Sequence, residues 1–210
     1  MSIKNLMMLT LSMLISLSID AQGIMRSGVI KFQFSSFNKS DTVFLSTPEV
    51  KKCGNIFIDP NTGIFSCKIN NIILKENSII ARYCFPDYNI LVLDCIDANK
   101  DRYKVLINGQ VYLIDNPKNK TKFKYLSWQN FIKEYIINPD EKAPIYFDTI
   151  NKKIVPEYEK YTFKAIKFSG DWCLVECFGA CDEKCPQIPI KGWIKWRYCN
   201  NLLLDLRFEC

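Results

Sequence analysis

The sequence predicts an all-β protein made of two β units joined by a short amphipathic helix, and three observations predict it. Apolar residues alternate with polar ones at period two in many short segments, the signature of strands buried on one face. Turn formers separate these segments. One segment alone, near the middle, switches to helical spacing.

The elements follow in chain order. Lys4 and the apolar stretch Leu6 to Ile19 (LMMLTLSMLISLSI) resemble a cleaved export signal, with the small-residue rule placing the cut after Ala21. Residues 1–21 are thus expected to be removed, leaving a chain exported to the periplasm or the extracellular space, with no stable membrane insertion. A first β domain then runs over 22–126, with alternating segments VIKFQF, TVFLS, NIFID, FSCKI, NILVLD, YKVLI and QVYLI. "DPNTG" (59–63) places Pro and Gly as a tight turn uses them, and Asn108-Gly109 is a hairpin signal. In "SWQNFIKEYI" (127–136), Trp128, Phe131, Ile132 and Tyr135 share one helical face and Ser127 stands as N-cap. This helix and the turn-rich "INPDEKAP" (137–144) read as a linker over 127–142. A second β domain, 143–210, carries YTFKAIKF, CLVEC and GWIKW.

The two halves resemble one another in order. "DTVFLSTPE" (41–49) aligns with "APIYFDTIN" (143–151), and "NILVLDCIDANKDRYKVLINGQVYLI" (89–114) aligns with "YTFKAIKFSGDWCLVEC" (161–177) followed by "GWIKW" (192–196). Within the second copy, "GDWCLVE" followed by "GWIKW" resembles the bacterial SH3-like domain: a Gly-Asp-Trp strand, a hairpin turn, then a Gly-Trp-Ile strand. Residues 143–210 match its order and 41–126 match it more distantly. Two departures are the hairpin insertion "FGACDEKCPQIPI" and the tyrosines, Tyr103 and Tyr112, near where the first copy would carry tryptophans. The resemblance implies two tandem SH3-like small barrels that bind or target at the bacterial envelope, without catalysis.

Ten cysteines, all after residue 21, form an even set in a chain expected to be exported, which implies disulfides. Cys53 and Cys67 face one another across the "DPNTG" turn, and Cys84 and Cys95 flank "FPDYNILVLD" in a similar way. Cys173 and Cys177, about 13 Å apart along one strand, need partners elsewhere, and Cys199 and Cys210 are available to them. Cys181 and Cys185 sit almost symmetrically about the hairpin loop and suit a small bridge. A short helix through 177–185 is the alternative, weakened by Gly179 and ended by Pro186. A metal site would favour CxxC pairs or histidine, and the chain has neither.

The absence of histidine removes Ser-His-Asp and Cys-His nucleophiles and His-ligated zinc, and no CxxC motif or glycine-rich phosphate loop appears. Asp94 with Asp97, and Asp182 with Glu183, read as solvated surface acids rather than an acid–base pair. The chain is therefore expected to be no enzyme and to need no cofactor. A net charge of +6 suits solubility and weak attraction to anionic polymers, not nucleic-acid recognition. Lys118, Lys120, Lys122 and Lys124 recur every second residue, as on a lysine-guarded edge strand or, alternatively, a polyanion contact. Asn38 and Asn119 stand in glycosylation sequons.

Strand alternation sets Trp172 and Leu174 on the face opposite Cys173 and Val175, and Trp193 and Lys195 opposite Ile194 and Trp196. Trp172, Trp193 and Lys195 are accordingly the expected contact residues, the tryptophans forming either a platform or part of a covered core. The expected partner is an envelope protein or a cell-wall glycan. A secreted inhibitor or effector acting through the cysteine-rich loop 177–189 is the second reading.

Overall fold

The computed structural model describes residues 27–32, 42–59, 61–74, 79, 81–85, 90–115, 122–180, 184–199 and 201–207. The expected export signal, Asn38, Asn119, Lys118, Lys120, Cys181, Asp182, Glu183 and Cys210 lie outside them. The protein is predominantly β and divides into two compact units between Leu126 and Ser127.

The described residues of the first unit form one ten-stranded sheet. Its strands are β1 (Gly28–Phe32), β2 (Thr42–Ser46), β3 (Lys52–Ile58), β4 (Phe65–Ile69), β5 (Ile72–Leu74), β6 (Tyr83–Phe85), β7 (Ile90–Ala98), β8 (Arg102–Ile107), β9 (Gln110–Asp115) and β10 (Phe123–Ser127). They lie side by side in the order β10-β1-β7-β8-β9-β2-β3-β4-β5, with β6 also paired to β7. Alternation does the sorting: Val43 and Leu45 of β2, Ile56 and Ile58 of β3, and Val105 and Ile107 of β8 all enter one core with Ile30, Leu91 and Leu93. Asn108 and Gly109 both adopt positive φ (51° and 73°), the two-residue turn expected there. Gly63, at φ 74°, closes the "DPNTG" turn, its N–H donating to the Asp59 carbonyl at 2.7 Å.

The second unit opens with α1 (Trp128–Glu134), and its N-cap is the expected one: Ser127 Oγ accepts from the Asn130 N–H at 3.3 Å. Trp128, Phe131 and Ile132 are buried, as the helical spacing requires. Next come β11 (Ile136–Asn138), β12 (Ile145–Tyr146), β13 (Phe163–Ser169), β14 (Trp172–Cys177), β15 (Lys191–Lys195), β16 (Arg197–Tyr198), β17 (Asn201–Leu202) and β18 (Asp205–Arg207). Six of these form a sheet in the order β12-β15-β14-β13-β11-β18, while β16 and β17 pair with each other.

Two expectations need correction. Residues 127–142 are not a linker: Ile137 is fully buried and β11 pairs with both β13 and β18, which makes this stretch part of the second sheet. Nor are closed small barrels found. Both sheets are open, and the first is lengthened by β3, β4 and β5, which continue outward from β2.

One neighbour pattern nevertheless occurs twice. Reading β10-β1-β7-β8-β9-β2 against β18-β11-β13-β14-β15-β12 gives the same succession in the same chain order. A β-bulge also falls at the same place, between Cys95 and Asp97 on β7 and between Ala165 and Lys167 on β13.

Candidate binding face

β14 is paired on both sides. Its residues Trp172 and Leu174 stand opposite Lys195 and Trp193 of β15, and Trp193 in turn stands opposite Tyr146 of β12. These side chains share one face at half exposure, while Cys173, Val175, Ile194 and Ile145 fill the buried face. Trp172 and Trp193, placed together by alternation alone, are thus diagonal neighbours on adjoining strands. Tyr146 packs edge-to-face against Trp172 with centroids 5.8 Å apart.

Cations border the rings. Lys167 Nζ, opposite Leu174 on β13, lies 5.6 Å from the Trp193 ring centroid, and Lys195 Nζ lies 4.7 Å from that of Tyr198. Neither ammonium is paired to a carboxylate among the described residues, whereas Lys191 is bound to Glu176 at 2.9 Å and Arg197 to Asp171 at 2.6 Å. The face therefore combines three aromatic rings with two available positive charges. Trp196 belongs elsewhere: it is buried, and its indole N–H donates to the Gly170 carbonyl at 3.0 Å.

Tyr146, Lys167 and Tyr198 were not singled out from sequence. Tyr146 lies in "APIYFDTIN", but its place on the face depends on the long-range pairing of β12 with β15. Lys167 is re-aimed by the β13 bulge, which local alternation does not anticipate.

The hairpin loop beyond the face is tied by Cys177 and Cys185, Cα atoms 5.9 Å apart. This replaces the expected bridge from Cys181 to Cys185, and it also removes Cys177 as a partner for Cys199 or Cys210. Cys177 lies at the end of β14, its N–H donating to the Ile190 carbonyl at 2.8 Å, and from there Cys185 is within bridging reach. Cys53, Cys67, Cys84, Cys95, Cys173 and Cys199 carry no bridge. Register accounts for both expected pairs among these. Cys84 stands opposite Leu91, four residues and so about 13 Å along β7 from Cys95. Cys67 stands opposite Ile56, three residues from Cys53. Cys67 and Cys95 act instead as core residues. Burial pushes the thiols of Cys67, Cys95 and Cys173 up to about 12, with nearby Cys53 adding to the effect at Cys67.

One acidic residue, Asp94, is placed differently than expected. Asp94 is buried, and both its carboxylate oxygens accept from Arg82 at 2.8 Å, while Asp97 pairs with Lys104 at 3.4 Å. Asp94 is thus a structural ion pair rather than a solvated acid. Lys124 lies exposed on β10, which ends the sheet order, the geometry of a lysine-guarded edge. Among the described residues no helix is long and apolar enough to cross a membrane.

A scan against protein-family models, a search of curated proteins and a search of solved structures each return no match.

Proposed function

We propose that this protein is an exported, non-catalytic binding module of the bacterial cell envelope. It is built from two tandem units with SH3-like strand order and binds an extended ligand, a protein segment or a cell-wall glycan, on the face formed by Tyr146, Trp172 and Trp193. The observation that carries this reading is the grouping of those rings with Lys167 and Lys195 on one face of a sheet. Half-exposed rings give stacking area at little conformational cost, and the two ammonium groups favour a ligand with anionic or carbonyl groups along it. The repeated neighbour pattern supports the tandem SH3-like reading, as does the placement of "GDWCLVE" and "GWIKW" on the paired strands β14 and β15.

The test is a tryptophan-fluorescence titration of the full chain with solubilised cell-wall fragments and, separately, with envelope-protein extracts. Saturable quenching by one of them, weakened about tenfold or more in Trp172→Ala and Trp193→Ala, is the expected result. Equal binding by both variants refutes the assignment of the face.

One observation favours a second reading, in which the protein is a secreted inhibitor or effector. The Cys177–Cys185 bridge pins the first part of the loop, and Ile188, three residues beyond it, is 85% exposed. Deleting residues 178–189 separates the two ideas: it spares binding by the sheet face and abolishes inhibition by the loop.

A further inference from the structure

The strands that extend the first sheet beyond β2 hold a cavity of about 330 Å3, in a different unit from the aromatic face. Its geometry follows from three local features. Gly54 has no side chain, and a Cβ there would run into the Lys68 carbonyl, so β3 and β4 approach closely and leave a hollow above their backbones. A β-bulge where Leu45 and Ser46 of β2 meet β3 displaces the chain around Cys53. Asn70 and Asn71, both left-handed (φ 48° and 66°), make the two-residue turn from β4 to β5 and form one wall.

The chemistry of the lining is one-sided. Lys52 and Lys68 contribute ammonium groups and Asn55, Asn70 and Asn71 contribute carboxamides, and among the described residues no carboxylate lines the cavity. Asn55 and Lys68 stand directly opposite one another in register, which sets an amide beside a cation. Neither lysine is ion-paired among the described residues, and Lys52 Nζ lies 3.5 Å from the centroid of the Phe44 ring. Ammonium groups only donate, whereas carboxamides donate and accept, as bonding to a sugar hydroxyl requires. The volume sits at the small end of ligand pockets, enough for one compact polar molecule.

We propose that this cavity binds an anionic saccharide: one sugar unit whose carboxylate, sulfate or phosphate group lies between Lys52 and Lys68 and whose hydroxyls bond to the asparagines. The site is separate from the aromatic face and does not depend on it.

The experiment is NMR titration of the full chain, following the backbone amides of Asn70 and Asn71, with glucuronate, glucose 6-phosphate, glucose and inorganic phosphate as probes. Saturable shifts with glucuronate or glucose 6-phosphate support the proposal, and the stronger of the two shows which anionic group the site takes. Lys68→Gln is expected to weaken that binding about tenfold, as loss of a charge-assisted hydrogen bond does, while Lys68→Arg retains it. Should Lys68→Gln fail to fold, Lys52→Gln, altered at an exposed position, makes the same test. The proposal is overturned if neither anionic sugar shifts these amides, if glucose binds as well as they do, if inorganic phosphate binds as tightly as glucose 6-phosphate, or if the folded lysine variants bind unchanged.

Discussion

Replacing Gly192 with alanine tests how the binding face is assembled. Gly192 lies on β15 opposite Val175, just before Trp193, and is buried beneath β12. A Cβ there would collide with Ile145 Cγ2, lie 2.7 Å from the Tyr146 carbonyl oxygen and 3.3 Å from Val155 Cγ2. The carbonyl belongs to the backbone of the paired strand and cannot rotate away, so β12 must move off β15. Overpacking of this kind costs about 1–3 kcal/mol, and with backbone involved the upper half of that range applies, about 2–3 kcal/mol. In a unit of this size each kcal/mol lowers the melting temperature by about 4–8 °C, so the expected drop is about 10–20 °C. All four tryptophans, at 128, 172, 193 and 196, lie in the second unit, so thermal unfolding followed by tryptophan fluorescence reads that unit alone. Gly170→Ala is the control. Gly170 has φ 57° but open space around it, so only the left-handed strain of about 1 kcal/mol applies. If Gly192→Ala melts no lower than Gly170→Ala, the close approach of β12 and β15 does not hold the face together. Loss of ligand binding in a folded Gly192→Ala variant would show that Tyr146 must stay registered against Trp193.

Four further outcomes are expected. Cys177→Ser opens the loop closed by Cys185 and should lower the stability of the second unit by about 2–3 kcal/mol in urea denaturation, because the unfolded chain regains loop entropy. Arg82→Met removes the guanidinium that both oxygens of the buried Asp94 carboxylate bond to and should cost about 3 kcal/mol in the first unit, measured by circular dichroism; a loss under about 1 kcal/mol would mean that the ion pair does not hold this part of the sheet. The buried thiols set a pH dependence. Cys173 stays protonated in the folded state up to about 12, from an ordinary 9.0, whereas the unfolded thiol ionises near the ordinary value. Its contribution to stability is complete below about pH 9 and is lost as pH rises towards 12, and Cys173→Ala should remove this component from denaturation measured at pH 7 and pH 10.5. In the same structure native alkylation should reach exposed Cys199 and leave Cys67, Cys95 and Cys173 unlabelled.

Much of the fold was legible because strand alternation is a local property. The faces of β14 and β15, and with them the placement of Trp172 and Trp193 on one side, follow from period two without knowledge of the rest of the chain. The Asn108-Gly109 turn and the Ser127 cap were equally readable, since each is decided within four residues. What was not legible depends on distant partners. Ile136–Asn138 is too short to show a period, and it becomes a strand only because β13 and β18 flank it. Asp94 reads as a surface acid until Arg82, twelve residues away, donates to each of its carboxylate oxygens. The expected pairing of Cys84 with Cys95 differs for the same reason: register sets Cys84 opposite Leu91, about 13 Å along β7 from Cys95. Sheet closure depends on stagger summed over every strand, to which no local pattern is sensitive.

The two matching strand orders end differently at β2 and β12, and the difference bears on how each unit keeps from sticking to other chains. A strand margin with unpaired amides invites another chain to add itself. At β12 the protein folds its own chain back: Phe147 N–H donates to the Lys153 carbonyl at 2.9 Å and Val155 N–H to the Ile145 carbonyl at 2.8 Å, so a doubled loop occupies the margin. At β2 the margin is handed outward through β3 and β4 to β5, where Ile72 and Ile73 are 66% and 56% exposed. A strand of only three residues offers little length for an incoming chain to grip. The first unit has thus moved its vulnerable border rather than sealed it, and charged replacements at Ile72 and Ile73 are where solubility at high concentration would be gained with least disturbance to the rest of the sheet.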